Sequence, residues 1–178
     1  MLKKILLFLA ALVVVFLIVV AFQPADFKVT RSTLISAPAS AVFAQVNDFH
    51  RWEAWSPWAK MDPNMKTTYA GAPAGTGSIY SWVGNSQVGA GRMTIIESRP
   101  HELVRINFEF LKPFAATNLA DFTFKPQGGQ TLVTWEMSGK KNFVSKAICM
   151  FMNMDKMVGG DFEKGLAKMK SLAEGTGK

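Results

Sequence analysis

A single cysteine, Cys149, excludes an internal disulfide. Only two histidines occur, His50 and His101, and both are remote in sequence from Cys149. A cysteine nucleophile with a neighbouring base is therefore not indicated, and Cys149 reads as a small core hydrophobe. No His-x-x-x-His, cysteine pair or carboxylate cluster has metal-site spacing, and no serine sits in a nucleophile-elbow pattern. Neither a metal nor a cofactor is expected. Basic residues outnumber acidic ones, 20 to 13, for a net charge of +7. The excess is spread thinly, without a dense Lys/Arg cluster interleaved with aromatics. That argues against nucleic acid and suits an anionic lipid surface. Internal repeats and low-complexity stretches are also absent. The glycines of Gly71-Ala72-Pro73-Ala74-Gly75-Thr76-Gly77 lack the Gly-Lys-Ser/Thr ending of a phosphate loop, and a strand-like run follows them. They read as a flexible hairpin connection.

Charge is missing altogether from Ile5 to Phe22, a run of eighteen residues after Lys3-Lys4. As a helix it would span about 27 Å, close to the hydrocarbon thickness of a bilayer. A cleaved signal would have an apolar region of about 7–15 residues and a small-residue site, for which Val19-Val20-Ala21 could serve. The length favours an uncleaved anchor over residues 1–22. The positive-inside rule keeps Lys3-Lys4 in the cytoplasm. The expectation is a single-pass inner (cytoplasmic) membrane protein with its C-terminal domain facing the periplasm or cell exterior. Residues 23–26 read as a linker and 27–175 as one domain.

The domain opens with a near-alternating β-branched run, Phe27 to Ile35, which indicates a strand. Ser36-Ala37-Pro38 stops it. Ala41 to Val46 is short and helical, and Asn47-Asp48 can cap a second short helix. This leads into Trp52-Glu53-Ala54-Trp55-Ser56-Pro57-Trp58, whose tryptophans can plug one end of a core or line a pocket mouth. Strand-like runs follow at Met65–Tyr69, Ser78–Val83, Gly91–Glu97, Leu103–Phe110, Leu119–Lys125 and Thr131–Met137. In the fourth, Val104, Ile106, Phe108 and Phe110 alternate with Arg105, Asn107 and Glu109, as in a sheet with one wet face. Cross-strand pairing with Arg105 accounts for Asp121, Glu109 and Glu136 more cheaply than catalysis.

Asn142 to Glu174 is predicted to be one long amphipathic helix. Ala147, Phe151, Met154, Val158, Phe162, Met169 and Leu172 form a stripe of near-helical period. Cys149, Met150, Met154 and Met157 offer soft sulfur suited to Cu(I), but the same positions fall on the core-facing stripe and read as pocket or core lining. Gly159-Gly160 inside the helix predicts a bend or a close approach to the sheet. One strand, two short helices, about six more strands and a long helix make an α+β design with helices on one face of a curved antiparallel sheet of about seven strands.

At Trp52–Trp58, at Gly75-Thr76-Gly77-Ser78 with Trp82, at Val133-Thr134-Trp135 and at Asp161-Phe162-Glu163-Lys164-Gly165-Leu166, the chain resembles the SRPBCC superfamily of helix-grip proteins. That group includes START domains, birch-pollen-allergen-like proteins and the polyketide cyclase/dehydrase branch. The resemblance runs from Phe27 to Glu174. It implies a sheet gripping the long helix around a hydrophobic cavity; many such relatives bind sterols, lipids or aromatic compounds without transforming them. The expected lining is Trp52, Trp55, Tyr80, Trp82, Met93, Ile106, Phe108, Phe122, Phe124 and Trp135, with Met150, Phe151, Met154 and Phe162 from the helix. The partners expected are a hydrophobic small molecule or lipid, and the membrane through Ile5–Phe22. The leading reading is a non-catalytic, membrane-anchored binding module. A cyclase/dehydratase-type enzyme using His50 or Tyr80 is the alternative, and a protein-interaction module the third.

Overall fold

The computed structural model describes residues 1–175. Helix α1 (Leu2–Phe22) is long and apolar enough to cross a membrane, a property a signal sequence shares. Strand β1 (Asp26–Ile35) follows after three residues. Helix α2 (Ala39–Asn47) starts behind Pro38, and a 3-10 helix, Phe49–Ala54, is capped by Asp48, whose carboxylate accepts from the His50 backbone N–H. The remaining strands are β2 (Lys66–Gly71), β3 (Ser78–Val83), β4 (Ala90–Arg99), β5 (Leu103–Lys112), β6 (Ala116–Gln127) and β7 (Gln130–Lys140). Helices α3 (Phe143–Cys149) and α4 (Met154–Gly175) close the described chain.

The seven strands form one antiparallel sheet in the order β1-β7-β6-β5-β4-β3-β2. Hairpin neighbours account for every pairing except β1 with β7, which returns the first strand to the last. Strand β4 shifts register between Ala90 and Gly91 and again between Ile95 and Glu97. Such bulges bend a strand and deepen its twist, and here the sheet curves around α4. Period-two alternation sorts the two faces. Val104, Ile106, Phe122, Phe124, Val133 and Trp135 point inward and are buried. On the outer face Arg105 holds Asp121 with two hydrogen bonds of 2.8 Å and reaches Glu97 at 3.1 Å. Of the three acids expected to pair with Arg105, Asp121 does so, whereas Glu136 meets Lys28 at 2.7 Å and Glu109 is not bound to Arg105.

The C-terminal segment departs from the expected single helix. It breaks at Met150–Asn153. Two asparagines account for the break: Asn142 accepts from the Ser145 N–H at 2.8 Å and caps α3, and Asn153 accepts from the Lys156 N–H at 3.0 Å and starts α4. An asparagine side chain that satisfies orphan backbone donors is worth more at a helix start than within a helix. From Val158 onward the apolar stripe faces the sheet as expected. Phe162, Leu166 and Met169 are fully buried, each contributing about 1.5–3 kcal/mol of apolar transfer. Arg31 lies on the inner side of β1 and holds the start of α4. Its guanidinium donates to Glu163 at 2.6 Å and to both Asp155 carboxylate oxygens at 3.0 Å. Gly159 makes room for it, since a Cβ there would collide with the guanidinium, whereas Gly160 faces open space. The glycine pair thus marks a close approach at its first member alone. A second one, unanticipated, lies at Gly165, where a Cβ would stand 3.0 Å from the Trp135 ring.

Candidate functional site

The space under the curved sheet is divided. One half is solid. Trp135 and Phe162 stack with ring centroids 3.9 Å apart, and Trp55 meets Trp135 edge-on at 5.7 Å and Phe122 at 5.9 Å. The Trp55 indole N–H donates to the Gln45 carbonyl at 3.0 Å and that of Trp52 to Val46 at 2.9 Å, so both tryptophans tie the 3-10 helix to the end of α2.

The other half holds a cavity of about 700 Å³ between the inner face of β2–β5 and the segment that joins the 3-10 helix to β2. Its sheet wall follows from register. Tyr69 pairs with Tyr80, Tyr80 with Met93, and Met93 with Phe108, so one row of side chains crosses four strands. Two residues along β3, Trp82 stands on the same face. Its ring lies over Gly91, where a Cβ would collide with it, and its N–H donates to the Val88 carbonyl at 3.0 Å. Trp52, Trp58, Met61 and Met65 form the opposite wall, with Met137 of β7 and Met157 and Val158 of α4 beneath.

The two aspartates of the lining are engaged, while Glu53, Lys60, Thr67 and Gln87 are exposed at its rim. The buried Asp62 carboxylate accepts from the backbone N–H of Asn64 at 2.9 Å and of Asn85 at 2.7 Å, which fixes the loop rather than the cavity. Asp161 holds the Lys164 ammonium at 2.9 Å. The Tyr80 hydroxyl has no hydrogen-bond partner among the described residues. Burial pushes its pKa up to about 12, so the phenol keeps its proton and can donate a hydrogen bond at neutral pH. His50 lies outside the lining. It bonds Asp48 through Nδ1 at 2.9 Å and stacks on Tyr69 at 4.1 Å. His101 occupies a turn with φ of 62° and meets Phe43 edge-on. Among the described residues no three His, Cys, Asp or Glu side chains converge on a metal position.

Of the residues expected to line a pocket, the structure brings Trp52, Tyr80, Trp82, Met93 and Phe108 around the cavity. Trp55, Ile106, Phe122, Phe124, Trp135 and Phe162 belong to the packed half. Met150, Phe151 and Met154 lie away from both, on an outer groove beside Phe27–Val29 and Lys141, because the chain leaves its helix there. Phe151 is 79% exposed. This corrects the core-facing position expected for Met150, Phe151 and Met154. Met157 lines the cavity, as its place on the stripe implied, and Met61, Met65, Tyr69 and Val88 line it without having been anticipated. The signal of these four in the sequence was slight: Met61, Met65 and Val88 are isolated apolar residues in connecting segments, and Tyr69 stands on the short edge strand β2.

Solved structures share this fold at low sequence identity. The protein CV1439 of Chromobacterium violaceum is 13% identical, with a TM-score of 0.60 over 83% of this chain and 96% of that one. The ginseng major latex-like protein 151 of Panax ginseng is 12% identical, with a TM-score of 0.60 over 84% of this chain and 98% of that one. The di-domain ARO/CYC StfQ of the steffimycin biosynthetic pathway is 10% identical, with a TM-score of 0.63 over 86% of this chain and 52% of that one. No curated protein sequence matches the chain. The family model described as polyketide cyclase / dehydrase and lipid transport matches residues 26–174, from the first strand to the last turns of α4, and the chain belongs to that family, within the SRPBCC superfamily.

Proposed function

We propose that this protein is a membrane-anchored module that holds a hydrophobic small molecule or lipid without transforming it. The cavity of about 700 Å³ carries the proposal. It is sized for a drug-sized or lipid-like molecule, and its inner walls are chiefly aromatic rings and methionines with polar side chains at the exposed rim, the usual make-up of such sites. Methionine suits a site that must adapt to its occupant. Membership of a family whose fold implies hydrophobic ligand binding supports the same reading. An enzyme would need a tuned acid or base inside. Here Asp62 and Asp161 are engaged, Glu53 and Lys60 stand exposed to solvent at the rim, His50 lies outside, and Tyr80 is held protonated. The free Tyr80 hydroxyl suits a ligand with one acceptor oxygen, such as a carbonyl or hydroxyl, within an apolar body.

Trp52, Trp58 and Trp82 border the cavity, so lipophilic probes are expected to bind at about micromolar Kd with a change in tryptophan fluorescence. Phe108→Asp should abolish the binding, with circular dichroism to show that the fold survives. Met157→Asp, at an exposed position on the rim, should weaken binding without touching the core. Tyr80→Phe should cost an acceptor-bearing ligand about 1 kcal/mol, roughly fivefold in Kd, and leave a pure hydrocarbon probe unaffected. Mass spectrometry of the detergent-extracted protein should find a co-purified lipophilic compound. Probe binding unchanged by Phe108→Asp and Met157→Asp would sink the proposal.

A further inference from the structure

We infer that α3 and the turn after it, residues 143–152, form a second membrane contact, dipping beside α1 into an anionic bilayer; this rests on the reading of α1 as an uncleaved span. None of the seven residues of α3 is buried, although Phe143, Val144 and Ile148 are large and apolar. Met150, Phe151 and Met152 just beyond it are exposed as well. An isolated helix of two turns does not sustain itself in water, and an apolar surface of this kind calls for a cover.

Contacts with α1 give the depth of that surface. The Lys146 ammonium donates to the Ala21 carbonyl at 3.1 Å, and the rings of Phe151 and Phe16 stack at 6.4 Å. From Lys146 to Phe151 the chain therefore runs alongside α1 and antiparallel to it. Ala21 is one residue from the end of α1. Phe16 is six residues from it, about 9 Å along the axis. A side chain that touches Phe16 shares its depth, which places Phe151 below the headgroups of a bilayer that α1 crosses. Lys146, the only charged residue between Asn142 and Asn153, stays at headgroup level.

Charge identifies the cover as lipid. Lys140 and Lys141 precede the apolar segment and Lys156 follows it. None of them, nor Lys146, pairs with a carboxylate among the described residues. Asp155, next to Lys156 in the chain, is taken by Arg31, and Asp26, opposite Lys140 across β1 and β7, forms no ion pair among the described residues. An apolar insertion framed by unpaired lysines complements an anionic leaflet. The same turn leads into Met157 and Val158, which line the cavity, so a bilayer reached by Phe151 would stand beside the cavity floor.

The test uses the full chain, reconstituted in vesicles of phosphatidylcholine and phosphatidylglycerol, with the native cysteine removed. The C149S/F151C variant carries a bimane label, and C149S/Q127C, at the hairpin on the opposite end of the sheet, is the reference. Phe151 is exposed, so its replacement should leave the fold intact. The F151C label should be quenched by brominated lipid, and its free thiol should react with a membrane-impermeant maleimide about tenfold more slowly than that of Q127C. Quenching should weaken in pure phosphatidylcholine and in a K140Q/K141Q background. Equal reactivity of the two thiols, in protein that stays with the vesicles through an alkaline carbonate wash, would overturn the docking and leave the anchor standing. Protein lost to the supernatant would overturn both. A thiol that is shielded but unquenched would mean a protein cover, such as a second copy of the chain, and would overturn the lipid assignment.

Discussion

Trp55 and Trp135 show how much one hydrogen bond decides at the scale of a side chain. Both are buried, and their rings meet edge to face. The Trp55 N–H has the Gln45 carbonyl, while the Trp135 N–H is buried with no partner. Changing either to Phe removes a similar volume. Trp55→Phe also strands a carbonyl, so it should cost about 1–2 kcal/mol more than Trp135→Phe in chemical denaturation. Equal costs would mean that the Trp135 indole has a partner after all. Arg31 acts differently, through charge on the inner side of a strand. Hydrogen bonding to its guanidinium holds the Asp155 carboxyl below the usual carboxylate range. A group whose pKa is depressed by folding adds stability above its unfolded pKa, about 4 for Asp. That contribution fades as pH falls through the lower, folded value. The wild-type Tm should therefore exceed that of Asp155→Asn at neutral pH, and the gap should close below about pH 4. A gap that persists in acid would point away from the ion pair.

Among the elements, the strands were the most legible and the C-terminal helix the least. Alternation in Leu103–Phe110 and Thr131–Met137 located β5 and β7 because one face is buried and the other wet. In Asn142–Glu174 the apolar period continues across Met150–Asn153, so a pattern of faces could not register the break. What ended α3 was a local choice by Asn153, whose side chain caps α4. Asn153→Ala should cost about 1 kcal/mol, read from denaturation midpoints, and Asn153→Asp should retain most of the cap. The site was legible in kind but not in place. Phe108 and Phe122 occupy equivalent positions in the alternation of neighbouring strands. One borders the cavity and the other sits in the packed half. Which half is hollow depends on where Trp55, Trp58 and α4 converge, and that is set by contacts far apart in the chain. Tyr69 and Met61 were missed for the same reason: a cavity wall borrows from loops and edges that carry no period.

For the molecule as a whole, the proposed topology places the folded domain outside the cytoplasm. A reporter fused after Lys178 should work only on that side, and a mature N-terminus near Phe22 would mean that the anchor is lost. On an uncleaved α1, the shortness of the link to β1 has a mechanical consequence. Three residues separate Phe22 from Asp26, and fully extended they reach about 10 Å. The Lys141 N–H donates to the Ala25 carbonyl at 2.8 Å and shortens even that leash. A body held so closely cannot ferry cargo between two membranes. It works as a fixed berth: whatever enters or leaves the cavity must come from the leaflet beneath it or from a carrier that travels to it, and the exchange rate should follow the supply of visitors rather than the movement of the host.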